Sequence, residues 1–436
     1  MKLLSWVQFL GMMLLPPLLA HTQQSDSLTV EDAIRQVISH HPLVQQASEA
    51  VEASRARVEM SRSGMYPTSN VNLGYVRLDP IAELAFPGLG DFKLFPENNY
   101  DEHIGVSQTV FDFGKTSASV DLAQQSVESM NDNVQLVKTN LAFQTIQAFY
   151  AILFLRQSLI VQDQQIDVLN QHLGIVQKKV EAGTSTDFDV LTTQVRIAAA
   201  QNKKFDIQNE IEQQEAVFRR LLGLPYSQKV KLRGEFNPIP VALNVDSLTA
   251  AAMSRRTELK LSHDGEKAAE LQEHVADLRN MPALKANVAY GLKNGYIPDL
   301  DVLRGNWVFN VEANIPVFDG FHAQSERQEA KANHYGAIAR SRETERMIVN
   351  EVQQAISNVR TNGEKIQTST VQVRQAEQAL QMATVRFESG VITNLDLLDA
   401  QTAVAQAKLS YLDALKQFVV SRYSLEKAVG GNLPGD

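Results

Sequence analysis

Cysteine is absent from all 436 residues of the sequence. Its absence excludes disulfide bonds, catalysis by a thiol and attachment of a lipid to an N-terminal cysteine. Long runs of one charge are also absent, and the net charge is −9. A mildly acidic chain without a basic run gives no indication of a nucleic-acid partner.

Beyond residue 20 the sequence has no run of about 18 consecutive apolar residues, the least that a membrane-spanning helix needs. Residues 1–20 contain Lys2, a following apolar run and the small residue Ala20. This pattern is typical of a secretory signal peptide cleaved near Ala20. A membrane anchor is the alternative, but Pro16 and Pro17 would interrupt its helix. We therefore expect an exported protein without a helical membrane span.

Proline is scarce in the segments that dominate the chain. Residues 115–181 contain no proline and one glycine, Gly174. At 1.5 Å per residue this segment predicts a helix of about 100 Å, whereas globular helices average about 11–12 residues. A helix of this length must pack against other long helices, and its apolar residues, spaced three and four apart, suit coiled-coil packing.

Two glycines mark bends between long helices. Gly183 and Gly390 each follow a long helix-forming segment, and each precedes an aspartate, Asp189 or Asp396, by six positions. Glycine is common just past a helix end because it adopts positive φ without a steric clash. An aspartate in the first turn of the next helix is favoured by the helix dipole, and Thr393 or Asn394 is a candidate cap before Asp396.

The two bends are 207 positions apart, and this offset persists from Val110 and Val317 to Gly223 and Gly430. The chain is therefore predicted to be a duplication, which must be recognised before any fold is assigned. We expect a signal peptide over 1–20, a first repeat over 21–226, a linker over 227–246, a second repeat over 247–431 and a tail over 432–436. The long helices are expected at about 115–181, 187–222, 321–388 and 395–429, after shorter ones at about 30–62 and 249–279.

Four segments alternate between apolar and polar residues, which is the period of a β-strand. They are predicted at about 68–78, 104–112, 284–292 and 307–317, with a long loop over 79–103. Their apolar positions include Leu73, Tyr75, Val288, Tyr290, Trp307, Phe309 and Val311. Their opposite positions include Lys285, Asn287, Lys293, Asn310, Glu312 and Asn314.

An apolar face toward lipid and a polar face toward a wet lumen is the pattern of a transmembrane β-barrel, whose strands have about 9–11 residues. Unpaired strand edges are too costly in lipid, and four strands cannot close a barrel alone. Several copies of the chain are therefore expected to pool their strands. The alternative is a soluble four-stranded sheet packed on helices.

The sequence shows no arrangement of catalytic residues. Gly114-Lys115-Thr116 resembles the end of a phosphate-binding loop, but Thr109 stands where that loop needs a glycine. His40 and His41 have no third metal ligand nearby in sequence. We therefore expect no enzyme activity, no metal and no cofactor.

The sequence resembles the TolC family of outer-membrane efflux proteins over nearly all of its length after residue 20. The resemblance rests on the twofold repeat, the strand–loop–strand insert in each half and the glycine-to-aspartate spacing of both bends. It rests also on the strand exits at Val110–Gly114 and Val317–Gly320, and its strongest local match is Leu395–Ala400.

The resemblance implies a mainly α fold with a β-barrel contribution. A long-helix α-barrel crosses the periplasm, and four transmembrane strands per chain are closed by trimerisation into a twelve-stranded barrel. It also implies a location in the outer membrane of a Gram-negative bacterium. The partners would be a periplasmic adaptor and an inner-membrane pump of RND, MFS or ABC type. The function would be a passive exit duct for efflux or type I secretion, opened at its periplasmic tip.

The resemblance places the bends at the periplasmic mouth of the channel. Asp396 and Asp399 lie three residues apart, hence on one helix face, and three copies would place six carboxylates around the axis. Asp396 can also be read as a first-turn acid, but capping does not explain Asp399. Phe387 and Ile392 replace a tyrosine and an arginine of the best-known member, whereas Asp189 matches its acidic partner. Apolar packing of Phe387 or Ile392 is expected to replace those polar links.

Two other functions are weighed against the exit duct. A periplasmic coiled-coil scaffold without a pore would also use long helices, and an enzyme with an unrecognised site is the third reading. A duct needs detergent for extraction, whereas a carbonate wash would release a scaffold.

Overall fold

The computed structural model of the chain describes residues 27–86, 88, 90–431 and 433. The predicted signal peptide at 1–20, and residues 432 and 434–436 of the predicted tail, lie outside the described residues. The helices are α1 Val30–His40, α2 Pro42–Arg62, α3 Lys115–Glu181, α4 Asp187–Leu222, α5 Val245–Arg255, α6 Thr257–Asp277, α7 His322–Glu388 and α8 Asn394–Ala428. The strands are β1 Thr68–Arg77, β2 Glu83–Phe86, β3 Gly90–Lys93, β4 Asn98–Phe111, β5 Ala283–Lys293 and β6 Arg304–Asn314.

The four long helices form a row in the order α4, α3, α8, α7. Helices α3 and α7 have 67 residues each, and α4 and α8 have 36 and 35 residues. Each of the two hairpins, α3–α4 and α7–α8, therefore matches the other in length. Helices α4 and α7 lie at the two ends of the row, so each has one long side without a neighbour from the row.

The helices enclose two main hydrophobic clusters, one formed mostly by the first half with residues of α8 and one within the second half. Phe149, Phe218 and Ile34 are buried where α1 packs against α3 and α4. Ile348 and Val352 of α7 are buried in the corresponding cluster with α5, α6 and α8. In the described part of the chain, no helix is both long enough and apolar enough to cross a membrane.

The helices predicted over 30–62 and 249–279 are each broken in two. Helix α1 ends before His41, whose ring accepts a hydrogen bond from the Leu43 N–H at 3.2 Å, and Pro42 starts α2. Proline at a first helical position is favourable, but it cannot continue a preceding helix. The second break lies at Arg256, which has extended backbone (ψ 122°) although no proline is near. There the Arg256 guanidinium donates to the Ala428 carbonyl at 3.1 Å, a tertiary contact that local sequence does not predict.

Four strands form one antiparallel sheet in the order β1, β4, β5, β6. Strands β1 and β6 are its edges. The strand predicted over 307–317 ends at Asn314, because Pro316 has no N–H for the ladder. Gly291 of β5 leaves room for a neighbour, since a Cβ there would lie 2.0 Å from the Glu102 carbonyl oxygen.

The segment predicted as a loop over 79–103 contains regular structure. Strands β2 and β3 pair as a hairpin within it. Strand β4 begins at Asn98, earlier than the 104–112 predicted, and residues 98–100 pair with residues 75–77 of β1. The asparagine and acidic residues of this part have weak strand propensity, and pairing with β1 overrides it.

Candidate functional site

The two bends close the free ends of the helical hairpins, and we call residues 182–186 and 389–393 the tip turns. Gly183 and Gly390 both have a φ of +71°. The N–H of Gly183 bonds to the Val180 carbonyl at 2.9 Å, and the next N–H bonds to the Lys179 carbonyl at 2.8 Å. The N–H groups of Gly390 and Val391 make the equivalent bonds to the Phe387 and Arg386 carbonyls. Both helices therefore end in a Schellman motif, in which two backbone hydrogen bonds close the helix end and one residue has left-handed backbone.

Asp189 and Asp396 each close a capping box at the helix that follows its turn. The Asp189 carboxylate accepts bonds from the Thr186 N–H at 3.0 Å and from the Ser185 hydroxyl at 2.8 Å. Asp396 accepts bonds from the N–H and the hydroxyl of Thr393, at 2.9 and 2.6 Å. Both readings of Asp396 stay compatible with this geometry, because a capping carboxylate that is exposed also adds its charge to the tip.

The capping bonds hold both carboxyls in their charged form. Burial opposes ionisation of Asp189, but the bonds from Thr186 and Ser185 outweigh it and lower the pKa of Asp189 below its usual value. The hydrogen bonds from Thr393 lower the pKa of Asp396. Asp189 and Asp396 therefore both carry a negative charge at neutral pH.

Asp399 forms an ion pair with the other hairpin. Its Oδ1 lies 2.8 Å from Nη2 of Arg196 on α4, and the two side chains are 60% and 40% exposed. Asp399 follows Asp396 by three residues, so both carboxylates lie on one face of α8. The sequence analysis did not identify Arg196.

Asn394 and His172 form a buried polar link between the hairpins, and sequence reasoning missed the histidine. His172 is 3% exposed, and its Nε2 lies 2.6 Å from Oδ1 of Asn394. The Asn394 amide nitrogen donates to the Asp189 carbonyl at 3.1 Å and lies 3.3 Å from the Thr193 hydroxyl. Three acceptors around the nitrogen orient the amide so that its oxygen faces His172. A histidine inside a polar helix gives no such signal in sequence.

The apolar side chains of Phe387 and Ile392 are packed between the two hairpins. Phe387 is 6% exposed and forms a cluster with Val176 of α3 and Leu397 of α8, against which Ile392 packs. The Phe387 ring lies edge-on to His172, with 5.2 Å between ring centroids. Lys179 lies 4.1 Å from the ring centroid and donates to the Phe387 carbonyl at 3.0 Å. The expected apolar packing at these two positions is therefore present, with a lysine added to it.

The sheet separates its side chains into two faces. The register places Val288 opposite Phe309, Tyr290 opposite Trp307, and Tyr75 opposite Tyr100. Residues directly opposite each other in an antiparallel sheet share a face, so the apolar positions form one surface. That surface contains Leu73, Tyr75, Val288, Tyr290, Trp307, Phe309 and Val311.

The other face of the sheet is polar and internally bonded. Lys293 Nζ lies 3.2 Å from Asp101 Oδ2, and His103 Nδ1 lies 3.1 Å from Asp101 Oδ1. Asn72 Nδ2 lies 3.1 Å from His103 Nε2. These contacts cross three strands, so one face of the sheet is suited to water and the other to an apolar environment.

This architecture matches that of a known protein family. The profile of the family described as "Outer membrane efflux protein" matches residues 33–224 and 248–431. Among curated relatives, nodulation protein T of Rhizobium leguminosarum bv. viciae is 23% identical over 399 residues, covering 89% of this chain and 79% of the relative. The probable efflux pump outer membrane protein TtgC of Pseudomonas putida is 21% identical over 435 residues, covering 95% and 88%.

Solved structures share the fold. The outer membrane protein VceC from Vibrio cholerae superposes with a TM-score of 0.78 at 17% identity, covering 93% of this chain and 96% of VceC. Both segments of the family profile coincide with the hairpin-containing halves described above. The chain therefore belongs to the outer membrane efflux protein family.

Proposed function

We propose that three copies of the chain assemble into a passive exit duct for efflux or type I secretion. The observation that carries this proposal is the sheet with two unpaired edge strands, β1 and β6, and one apolar face. Unpaired backbone groups cost several kcal/mol each in hydrocarbon, so a sheet in lipid must pair both edges. Pairing β6 of each copy with β1 of the next would close a twelve-stranded barrel.

The apolar face of the sheet is proposed to contact outer-membrane lipid. Trp307 is 73% exposed and Tyr290 is 63% exposed in the single chain. Moving apolar surface out of water is favourable by about 25 cal/mol per Å² of transfer free energy. An exposed apolar face of this kind is therefore stabilised by contact with lipid. The polar face, with Asp101 and Lys293, would then line the lumen.

The long helices are proposed to close the same assembly below the sheet. Helix α4 carries an exposed apolar stripe near the tip, formed by Phe188, Leu191 and Val195 and continued at Phe205. Helix α7 exposes Val385 at the opposite end of the row. Residues spaced three and four apart on a helix form one contact face, so α4 of one copy can pack against α7 of the next.

The tip is proposed as the constriction of the duct, with Asp396, Asp399 and Asp189 as its acids and with Phe387 and Ile392 as the apolar packing between its hairpins. An acidic ring favours cations at the mouth. The duct itself carries out no chemical step and needs no cofactor. A periplasmic adaptor and an inner-membrane pump of RND, MFS or ABC type would open it, in the outer membrane of a Gram-negative bacterium reached through the predicted signal peptide.

A cysteine cross-link tests the assembly directly, because the chain has no cysteine of its own. The variant Leu191→Cys/Val385→Cys, oxidised or treated with a short bifunctional reagent, is expected to give covalent trimers in denaturing gels. Each single variant is the control and should remain a monomer.

Extraction and conductance test the membrane duct independently of the cross-link. The protein should need detergent for extraction and should conduct in planar bilayers. Release by a carbonate wash as a non-conducting monomer would contradict the duct and favour the periplasmic scaffold.

A further inference from the structure

Two carboxyl groups face each other between α3 of the first half and α6 of the second. Asp132 of α3 is 8% exposed, and Asp264 of α6 is half-buried at hydrogen-bonding reach from it. Neither residue belongs to the tip or to the sheet. Helix α3 starts directly after β4, and α6 ends shortly before β5, so the pair lies in the part of α3 that is nearer the sheet than the tip.

The hydrogen bonds around the two carboxyls leave one oxygen of each without a donor. Asp132 Oδ1 accepts from Lys260 Nζ at 2.7 Å, and Asp264 Oδ1 accepts from Gln125 Nε2 at 3.1 Å. Both Oδ2 atoms are buried, and neither has a hydrogen-bond partner among the described residues. Two ionised carboxylates are acceptors only and cannot satisfy each other, whereas one proton turns one of them into a donor.

The charges around the pair do not cancel two negative carboxylates. Helix α6 contributes Lys260, whose side chain is 68% exposed, and α3 contributes the exposed Glu128, which adds negative charge. Burial raises the pKa of Asp264, and the hydrogen bond and charge of Asp132 raise it further, against the opposing effects of Gln125 and Lys260. Burial and contact with a second carboxyl therefore both favour the neutral form of Asp264.

A bound cation is a poorer explanation for the two orphaned oxygens. Across the described ranges, no three histidine, aspartate or glutamate side chains are grouped so that they could hold a metal ion. Lys260 already occupies one oxygen of Asp132. A single proton satisfies both remaining oxygens and needs no further ligand.

We propose that Asp132 and Asp264 share one proton and form an acid-stabilised clasp between the two halves of the chain. The clasp holds α3 to α6 while the proton is present. Because the pKa of Asp264 is raised in the folded state, its contribution to stability is full at low pH and is lost as pH rises through that folded value. Loss of the proton places two like charges in contact and loosens the α3–α6 packing. The proposal does not rest on the channel function.

The variant Asp264→Asn tests the clasp, because an amide stays neutral at every pH and can donate to Asp132. We expect the thermal midpoint of the variant to equal that of the wild type at acid pH, below the raised pKa of Asp264, and to exceed it by a few degrees at neutral pH. Asp121→Asn, at an exposed position of α3, is the matched control and should follow the wild-type profile. A midpoint that falls below the wild type by the same amount at every pH would overturn the shared proton.

Infrared spectroscopy provides a second readout that a purely structural role would not change. At acid pH, below the raised pKa of Asp264, the wild type should contain a protonated carboxyl C=O band that is missing from both Asp264→Asn and Asp132→Asn. The band should disappear as pH rises, together with the difference in thermal midpoint. A wild-type spectrum identical to that of both variants in this region would refute the proposal, even where one variant folds poorly.

Discussion

Arg196 Nη2 and Asp399 Oδ1 lie 2.8 Å apart and join α4 of the first hairpin to α8 of the second. The two residues are 203 positions apart in sequence, so the contact is a tertiary link at the tip. Both side chains are partly exposed, in contrast to the buried His172–Asn394 contact beside them. These two polar links, which join the hairpins together with the Lys179–Phe387 hydrogen bond, differ in burial and should differ in strength.

Replacing Arg196 by glutamine should favour opening only slightly. Exposed ion pairs contribute about 0.2–1 kcal/mol, so the probability of an open tip should rise about 1.4- to 5-fold. The measurement is the open probability of single channels in planar bilayers. The rise should shrink in high salt, because exposed charges are screened. A salt-independent increase would show that Arg196 acts through packing.

The tip carboxylates should set ion selectivity. The variant Asp396→Ala/Asp399→Ala removes two acids per chain, and we expect lower cation selectivity and weaker block by multivalent cations. Reversal potentials in a salt gradient measure the first effect, and titration with a trivalent cation measures the second. Asp187→Ala, an exposed first-turn acid of α4, is the control for a general change in surface charge. Single-channel behaviour equal to that of the wild type would show that these two residues do not form the constriction.

The variant Asn394→Ala should open the tip more than Arg196→Gln does. It removes the donor to the Asp189 carbonyl and leaves the buried ring of His172 without its partner. An unsatisfied buried polar group costs about 1–3 kcal/mol, which corresponds to about 5- to 150-fold in opening.

Gln406→Ala, at an exposed position of α8, is the control for the Asn394 variant. An effect of Asn394→Ala no larger than that of Arg196→Gln would show that the buried link does not hold the hairpins.

The contrast between these links shows what the sequence could and could not reveal. Proline-free segments and a fixed repeat offset predicted helices at 115–181 and 187–222, and α3 and α4 occupy those ranges. Periodicity reports only local preference, so the break at Arg256 and the first residues of β4 were missed. Tertiary contacts of Arg256 and pairing with β1 decide these two features.

At the tip, the glycine and aspartate spacing identified the turns because each residue acts within its own turn. His172 and Arg196 act on partners more than 200 positions away, and a single sequence contains no signal for such pairs. The roles of the tip residues in the pore stay predictions, which the variants above address.

The tip should open more readily as pH falls, through His172. Burial lowers the pKa of His172 below its usual 6.5, and the charge of Lys179 lowers it further, against the effect of the hydrogen bond to Asn394. Below pH 6.5 the opened tip binds a proton that the closed tip does not, so opening becomes favoured, by up to about tenfold per pH unit. The effect ends once the pH falls below the lowered value.

Hydrogen exchange of peptides spanning 387–400, corrected for the intrinsic pH dependence, measures this opening. His172→Gln should remove the extra acid sensitivity, while His40→Gln, at an exposed position of α1, should keep it. If the acid sensitivity persists in His172→Gln, another group causes it.

The two repeat-related glycines Gly223 and Gly430 should respond unequally to alanine. Both have left-handed backbone, with φ of +68° and +70°, so alanine costs about 1–2 kcal/mol at either position. At Gly223 the new methyl group meets open space, whereas at Gly430 it would lie 2.9 Å from the Arg255 carbonyl carbon and 3.0 Å from the Arg256 nitrogen. Overpacking of this kind adds about 1–3 kcal/mol.

Thermal unfolding of Gly430→Ala and Gly223→Ala, prepared side by side, makes the comparison. The Gly430 variant should lose at least twice as much in midpoint temperature, because the backbone at the α5–α6 break must move. That movement would also weaken the bond from the Arg256 guanidinium to the Ala428 carbonyl and its ion pair with Glu351, 2.8 Å long. Equal losses in midpoint temperature would show that the backbone at the α5–α6 break moves without a cost in stability. They would also show that the end of α8 does not fix α5 and α6 in place.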